Sequence, residues 1–209
     1  MKSHVPTKIF DIPVALHSTV AAAHMDLHGD GTAANSLLAA SANLRVSLEP
    51  EDVDWMMRWE NAPEHWQVSG TTAPYSRAAL EALCQGHQDL YTAGQLRWVI
   101  EERGKPIGAV DLYEFSALHQ RSGIGILIDP DHRGRGSASR ALSIAVEHAE
   151  SVLLLRGLHA QVHAHNAASS QLFSSNGFDE VGRFKDWTRT QEGWCDAVLF
   201  QRIFNPDQA

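Results

Sequence analysis

The 209-residue sequence contains two cysteines, Cys84 and Cys195, which lie far apart and in no Cys-x-x-Cys pairing. That scarcity argues against a disulfide framework and gives no sign of a thiolate zinc site. Basic residues are in deficit, 17 Lys and Arg against 25 Asp and Glu, for a formal net charge of -8. Such a balance disfavours non-specific contact with nucleic acid or an anionic membrane, so neither is an expected partner. Long apolar runs are missing too: nothing approaches the roughly 20 apolar residues of a membrane-spanning helix. Asp11, Pro13 and His17 interrupt the apolar stretch near the N-terminus and spoil a signal-peptide core. A cytoplasmic location with both thiols reduced is the resulting expectation.

What is present can bury one good core, since 44% of the residues are apolar. Residues 1–42 show no sustained periodicity and read as an extension, 43–205 as one domain, and 206–209 as a tail. Leu44, Val46 and Leu48 alternate as a strand, and Glu49-Pro50-Glu51-Asp52 then opens a helix carrying Val53, Met56, Met57 and Trp59. A second helix is expected from about Ser76 to Leu90. Three strand-like runs follow, Leu96 to Glu101, Ile107 to Tyr113 and Ser122 to Ile128, the first two joined as a hairpin through Arg103-Gly104-Lys105-Pro106. Ala138, Leu142, Ala145, Val146, Ala149 and Val152 fall at helical spacing. A strand from Leu158 to His163, a helix from Ala167 to Ser175 closed by Asn176-Gly177, and strands around Phe178 to Trp187 and Trp194 to Ile203 complete the pattern. Seven strands with helices between them predict an α/β (α+β) fold built on one mixed sheet.

The informative stretch runs from the strand ending at Ile128 through Asp129-Pro130-Asp131-His132 into Arg133-Gly134-Arg135-Gly136-Ser137-Ala138 and a helix. Strand, glycine loop and helix start present unpaired backbone N–H groups and the positive end of a helix dipole, which suits a pyrophosphate. Gly134 and Gly136 let phosphate oxygens approach the backbone, and Arg133, Arg135 and Arg140 invert the local charge of an acidic protein.

Residues 133–138 match the Gln/Arg-x-x-Gly-x-Gly/Ala acetyl-CoA motif of GNAT acyltransferases, and Asn166-Ala167-Ala168-Ser169, Leu172-Phe173 and Asn176-Gly177-Phe178 resemble the family's second signature. The resemblance covers about 44–204 and looks closest to the branch of ribosomal-protein N-terminal acetyltransferases and spermidine acetyltransferase. It implies a single GNAT-like domain, a mostly antiparallel sheet of about seven strands with helices on both faces, and acetyl-CoA as co-substrate without a metal. It further implies that the strand ending near Ile128 splays from the one ending near His163. Ile126, Leu127 and Ile128 would then pair with the pantetheine arm, a backbone N–H near Ile126 would hold the oxyanion, and Asn166, Ser169 and Phe173 would line the cofactor. The implied reaction is direct attack of a primary amine on the thioester. The acceptor would be a polyamine, another small amine or a protein N-terminus, and a homo-oligomer is compatible.

A base is needed because an alkyl ammonium of pKa about 10.4 is unreactive at neutral pH. Asp111 is the first candidate, on one strand face with Ile107, Ala109 and Tyr113, and Glu114 the second; both could instead hold partners or face water, and Asp111 could equally bind the substrate ammonium. The family's usual acid is the tyrosine of Leu-Tyr, replaced here by Phe173, so water, Tyr113 or a serine would protonate the thiolate. A catalytically weak acyl-CoA-binding module is the alternative that Phe173 motivates. His159, Gln161, His163 and His165 share one side of a strand, but ligands along one strand cannot by themselves close a tetrahedral shell and no nearby cysteine helps, so exposed or hydrogen-bonded histidines are expected and no metal. Trp55, Trp59 and Trp66, with Glu60 and Glu64, could line an acceptor pocket or simply build core.

Overall fold

The computed structural model describes residues 43–46, 49–63, 65, 73–86, 90–190 and 192–204, so the expected extension 1–42 and tail 206–209 lie outside the described residues. The strands are β1 (Asn43–Val46), β2 (Leu96–Glu102), β3 (Lys105–Ser116), β4 (Arg121–Ile128), β5 (Gly157–His163), β6 (Asp179–Thr190) and β7 (Gly193–Ile203). The helices are α1 (Val53–Glu60), α2 (Arg77–Gln85), α3 (Leu90–Ala93), α4 (Ser137–Ser151) and α5 (Ala167–Ser175). The seven strands form one sheet in the order β1-β2-β3-β4-β5-β7-β6, antiparallel except for the β4–β5 pair. The expected mixed seven-stranded sheet is therefore observed.

Helices cover both faces. On one, α4 buries Ala141, Leu142, Ala145, Val146 and Ala149 against Trp98, Ile100, Val110, Leu112 and Ile124, and α5 adds Phe173 over Phe200 and Val198. On the other, Val53 and Met56 of α1 and Leu80 and Cys84 of α2 close over Val99. Small alanines along the inner stripe of α4 let that helix approach the sheet closely, and its apolar residues recur at the i, i+4 spacing that one helix face requires. Among the described residues no helix is long and apolar enough to cross a membrane.

The β2–β3 hairpin forms as expected: Arg103 and Gly104 take φ of 53° and 70°, the left-handed pair that matches a two-residue turn to strand twist. Two expectations need correction. The helix expected from about Ser76 to Leu90 stops at Gln85, because Gly86 turns to extended backbone at φ -74° and ψ 145°. Val152 does not join the apolar stripe of α4; it lies past the helix end and is 61% exposed.

A polar cluster ties the start of α1 to the sheet. Asp52 is buried and accepts from the Arg45 guanidinium of β1 at 2.7 and 3.0 Å, from the Trp55 indole at 2.7 Å and from the Glu49 amide at 2.7 Å. Burial works to raise its pKa, but these donors outweigh it and hold the carboxyl below its ordinary range. The sheet centre tolerates no side chain at Gly108, where a Cβ would stand 2.3 Å from the Leu127 carbonyl oxygen. Gly108→Ala should therefore destabilise the fold by about 1–3 kcal/mol, the usual cost of overpacking. A lowered urea midpoint checks this, and an unchanged midpoint would contradict the close approach.

Candidate functional site

Strands β4 and β5 pair only at Arg121↔Gly157, Ser122↔Leu158 and Gly123↔His159. Beyond Gly123, β4 continues to Ile128 along β3, and β5 continues to His163 along β7, with no ladder between them. The two central strands thus open into a V. Along its β4 side, Ile126, Leu127 and Ile128 carry main-chain groups that no β5 residue takes up, the geometry in which an extended arm can add as a strand.

Tyr113 sits across the apex. Its ring lies on Gly123 so closely that a Cβ there would come within 2.3–2.7 Å of ring atoms, and a Cβ on Gly125 would be 3.6 Å away. Glycine at position 123 is what admits the ring. Burial, together with the charges of Glu114 and Asp111, pushes the Tyr113 hydroxyl up to about 12, against the pull of a hydrogen bond with the Gln161 main chain on β5. The phenol is therefore protonated at neutral pH. Its ring also meets His159 edge-on at 6.2 Å.

Glu114 follows in a bulge, since the β3–β4 register shifts between Tyr113 and Ser116 and Glu114 takes a left-handed φ of 50°. The bulge brings its exposed carboxylate to 3.6 Å from His159 Nε2. Asp111 is engaged differently. Both its oxygens accept from Arg97, at 2.6 and 2.9 Å, and Arg97 also pairs with buried Glu60. Burial acts to lower the Arg97 pKa, but the two carboxylates raise it beyond its ordinary value, so the guanidinium stays charged. The Asp111 side chain is 34% exposed, and its residue pairs with Gly125 of β4, on the β4 side of the V.

At the open end of β4 the glycine loop leads into α4. Gly134 and Gly136 adopt φ of 73° and 76°, and Gly136 is the residue preceding the helix. The first helical bond runs from the Arg140 amide to the Gly136 carbonyl, so the amides of Ser137, Ala138 and Ser139 precede it, and no side chain caps this helix start. Arg133 and Arg135 are exposed and anchored to the Ile128 and Asp131 carbonyls at 3.0 and 2.9 Å, while Arg140 reaches back to the Arg135 carbonyl and Ser137 Oγ. This cradle fits a diphosphate on charge, free amides and the absence of a Cβ at two positions. Asp129 holds its entrance. Buried, it accepts from the Trp59 indole at 2.8 Å, from Arg58 and from the Asp131 amide at 3.0 Å.

The second signature is placed at the tip of β5. Asn166 caps α5, its side-chain oxygen accepting from the Ser169 amide at 3.0 Å, whereas Phe173 is buried, edge-on to Phe178 at 5.1 Å and stacked on Phe200 at 6.0 Å. Of the tryptophans, Trp59 is buried, Trp55 packs on it at 4.6 Å, and Glu60 serves Arg97; Trp66 and Glu64 lie outside the described residues. The expectation that no cysteine lies near the β5 histidines is overturned, because β7 pairs with β5 and brings Cys195 Sγ to 3.2 Å from His165 Nδ1. From the sequence His159 has a strand face, shared with His163, but no neighbour across the sheet. Its place beside Gly123 and Glu114 depends on the parallel β4–β5 pairing, for which local sequence carries no signal.

The family described as an acetyltransferase (GNAT) domain matches residues 44–179. This chain belongs to the GNAT acetyltransferases. It is an acetyl-CoA-dependent enzyme whose transferred acetyl group goes to a primary amine. Over 147 residues it is 29% identical to a spermidine N(1)-acetyltransferase of Escherichia coli K12, covering 69% of this chain and 76% of that protein. A spermidine N-acetyltransferase from Vibrio cholerae solved with CoA and spermine superposes with a TM-score of 0.70 at 24% identity, over 78% of this chain and 95% of that one. A dodecameric structure of spermidine N-acetyltransferase from Vibrio cholerae gives a TM-score of 0.66 at 23% identity, covering 78% and 94%. In this GNAT chain, the cradle's geometry hangs on Asp129. Burial tends to raise the Asp129 pKa, yet the Asp131 amide, Trp59 and Arg58 hold it below the carboxylate's ordinary value. Its contribution to stability is thus complete above the unfolded carboxyl pKa of about 3.9 and fades as pH falls through the lower folded value. Asp129→Ala should cost about 1–3 kcal/mol at neutral pH by stranding the Trp59 N–H. The gap from the parent should narrow on acidification below about pH 4; equal gaps in denaturation curves at both pH values would refute the linkage.

Proposed function

We propose that the protein acetylates a polyamine of the spermidine and spermine class. The observation that carries this is the acid-rimmed V: the part-exposed Asp111 carboxylate, across from Gly125, and the exposed Glu114 carboxylate, beside His159, stand on β3 next to an opening whose other end is a cationic diphosphate cradle. A polycation with a reactive end amine suits that polarity, and a net charge of -8 favours its approach. The names of the relatives support the same acceptor. A cytoplasmic location goes with this reading, as do the two free cysteines. So does assembly into a homo-oligomer, a reading that the dodecameric relative supports.

Acetyl-CoA supplies a thioester carbonyl and a thiolate leaving group. Arg133, Arg135, Arg140 and the amides of Gly134, Gly136, Ser137 and Ala138 bind its diphosphate, while the Ile126–Ile128 main chain and the Asn166–Ser169 turn orient the arm toward the apex. An N–H near Ile126 faces the carbonyl oxygen, where a fixed donor lowers the barrier by roughly 3 kcal/mol. Asp111, held by Arg97, binds a substrate ammonium. The His159–Glu114 pair accepts the proton that the attacking amine must lose, the carboxylate fixing the imidazole's orientation. Tyr113, protonated and placed on the glycines of β4, returns a proton to the thiolate, the task that buried Phe173 cannot perform. Overall the ammonium loses two protons, one of which ends on the thiol and the other in solvent.

Thiol release from acetyl-CoA against a panel of amines tests the acceptor. Turnover on spermidine and spermine should exceed that on short peptides by at least about 100-fold, as expected when an ammonium-binding carboxylate is used. Turnover confined to peptide N-termini would overturn the polyamine reading, and CoA binding without turnover on any amine would favour the binding-module alternative. Tyr113→Phe should lower kcat by about 10–100-fold with little change in the acceptor KM; an unchanged kcat would remove the tyrosine from the chemistry. Gly136→Val should abolish CoA binding by calorimetry, since its left-handed φ strains any β-branched side chain and a Cβ would push on the Arg140 guanidinium from 3.2 Å.

A further inference from the structure

Three metal-ligand side chains that acetyl transfer leaves unused meet where β5 runs out beside β7. His163 closes β5, His165 follows in the turn ahead of α5, and Cys195 comes from β7. Strand pairing explains the meeting. His163 pairs with Ala197, and the Ala164 amide donates to the Asp196 carbonyl at 2.9 Å, so His165 stands where the continued ladder faces Cys195. Residues two apart on a strand share a face, which puts all three on one side of the sheet. His165 Nδ1 is 3.2 Å from Cys195 Sγ, the two imidazole centroids are 5.5 Å apart, and one ligand atom from each residue lies within 4.8 Å of the others.

We infer that His163, His165 and Cys195 form a binding site for a divalent transition-metal ion of the zinc class, with a fourth coordination position open to water. Two imidazoles and a thiolate are borderline-to-soft donors that select such ions over magnesium or calcium. Zinc takes nitrogen at about 2.0–2.1 Å and sulfur at about 2.3 Å, so tetrahedral neighbours stand roughly 3.3–3.7 Å apart. The His165–Cys195 pair, at 3.2 Å, stands just inside that spacing. Closing the third ligand requires a movement on the order of an ångström, which side-chain rotation of exposed His165 and half-buried His163 provides. On binding, the Cys195 S–H bond, directed at the Asp196 carbonyl 3.1 Å away, gives way to a sulfur–metal bond. The proton passes to water, both imidazoles bind neutral, and no electron is transferred.

Cobalt(II), titrated into the full-length protein under reducing conditions, is the probe. One equivalent should produce a thiolate-to-cobalt charge-transfer band with the visible bands of tetrahedral cobalt, and one equivalent of zinc should erase them. The thiolate band separates this site from His4, His17, His24 and His28, which offer no sulfur. Cys195→Ser should abolish the band and His165→Ala should weaken cobalt binding at least tenfold, while Cys84→Ser, at a thiol buried against Met56, should leave both intact. No band, or a band that survives Cys195→Ser, would overturn the inference. A readout without any variant is the iodoacetamide labelling rate of Cys195, which zinc should slow at least tenfold and which would refute the site if zinc left it unchanged.

Discussion

The brevity of the β4–β5 pairing governs the rest of the molecule. Three residue pairs hold the two halves of the sheet together, and past Gly123 each strand follows its other neighbour. A parallel pair that continued to Ile128 would be one more buried ladder, with no main-chain groups left over for a ligand. Because it stops, the sheet has an interior edge in the middle of the domain. The glycine loop leaves from one side of that edge and α5 starts from the other, so both helix starts flank the same opening.

Charge is arranged around the opening with the same economy. Arg97 is the only guanidinium that β2 contributes, and it is shared between Glu60 and Asp111, which ties both acids to a buried cation while Asp111 stays part-exposed. The arginines of the 133–140 segment are held instead by main-chain carbonyls, and among the described residues no carboxylate pairs with them. One end of the site is thus negative and the other positive. Neither polarity could be inferred from net charge alone.

Elements with strong local signals were legible from the residues. The β2–β3 turn was announced by Arg103-Gly104, the start of α4 by Gly134 and Gly136, and the end of α5 by Asn176-Gly177. The anion cradle was legible for the same reason, being contiguous in sequence. What stayed hidden depends on pairing between distant segments: the Arg97–Asp111 ion pair, the Glu114–His159 contact and the approach of Cys195 to His165 each join residues from two separate stretches of chain. Strand register at long range is set by tertiary packing, and period-2 patterns say which face a residue takes but not what lies across from it. The bulge at Glu114 was invisible too, because a left-handed glutamate has no sequence signature.

Tyr113 and Gly123 occupy, in effect, a single volume divided between two positions of the chain. The ring fills the space that a side chain on the neighbouring strand would otherwise take, leaving 2.3 Å to a would-be Cβ. Their substitutions cannot then be independent: enlarging position 123 is tolerable only if position 113 shrinks, and a small residue at 113 would leave a void over bare backbone. In any lineage that keeps this apex filled, the two sites must change as a pair, and the reactive hydroxyl comes or goes with them.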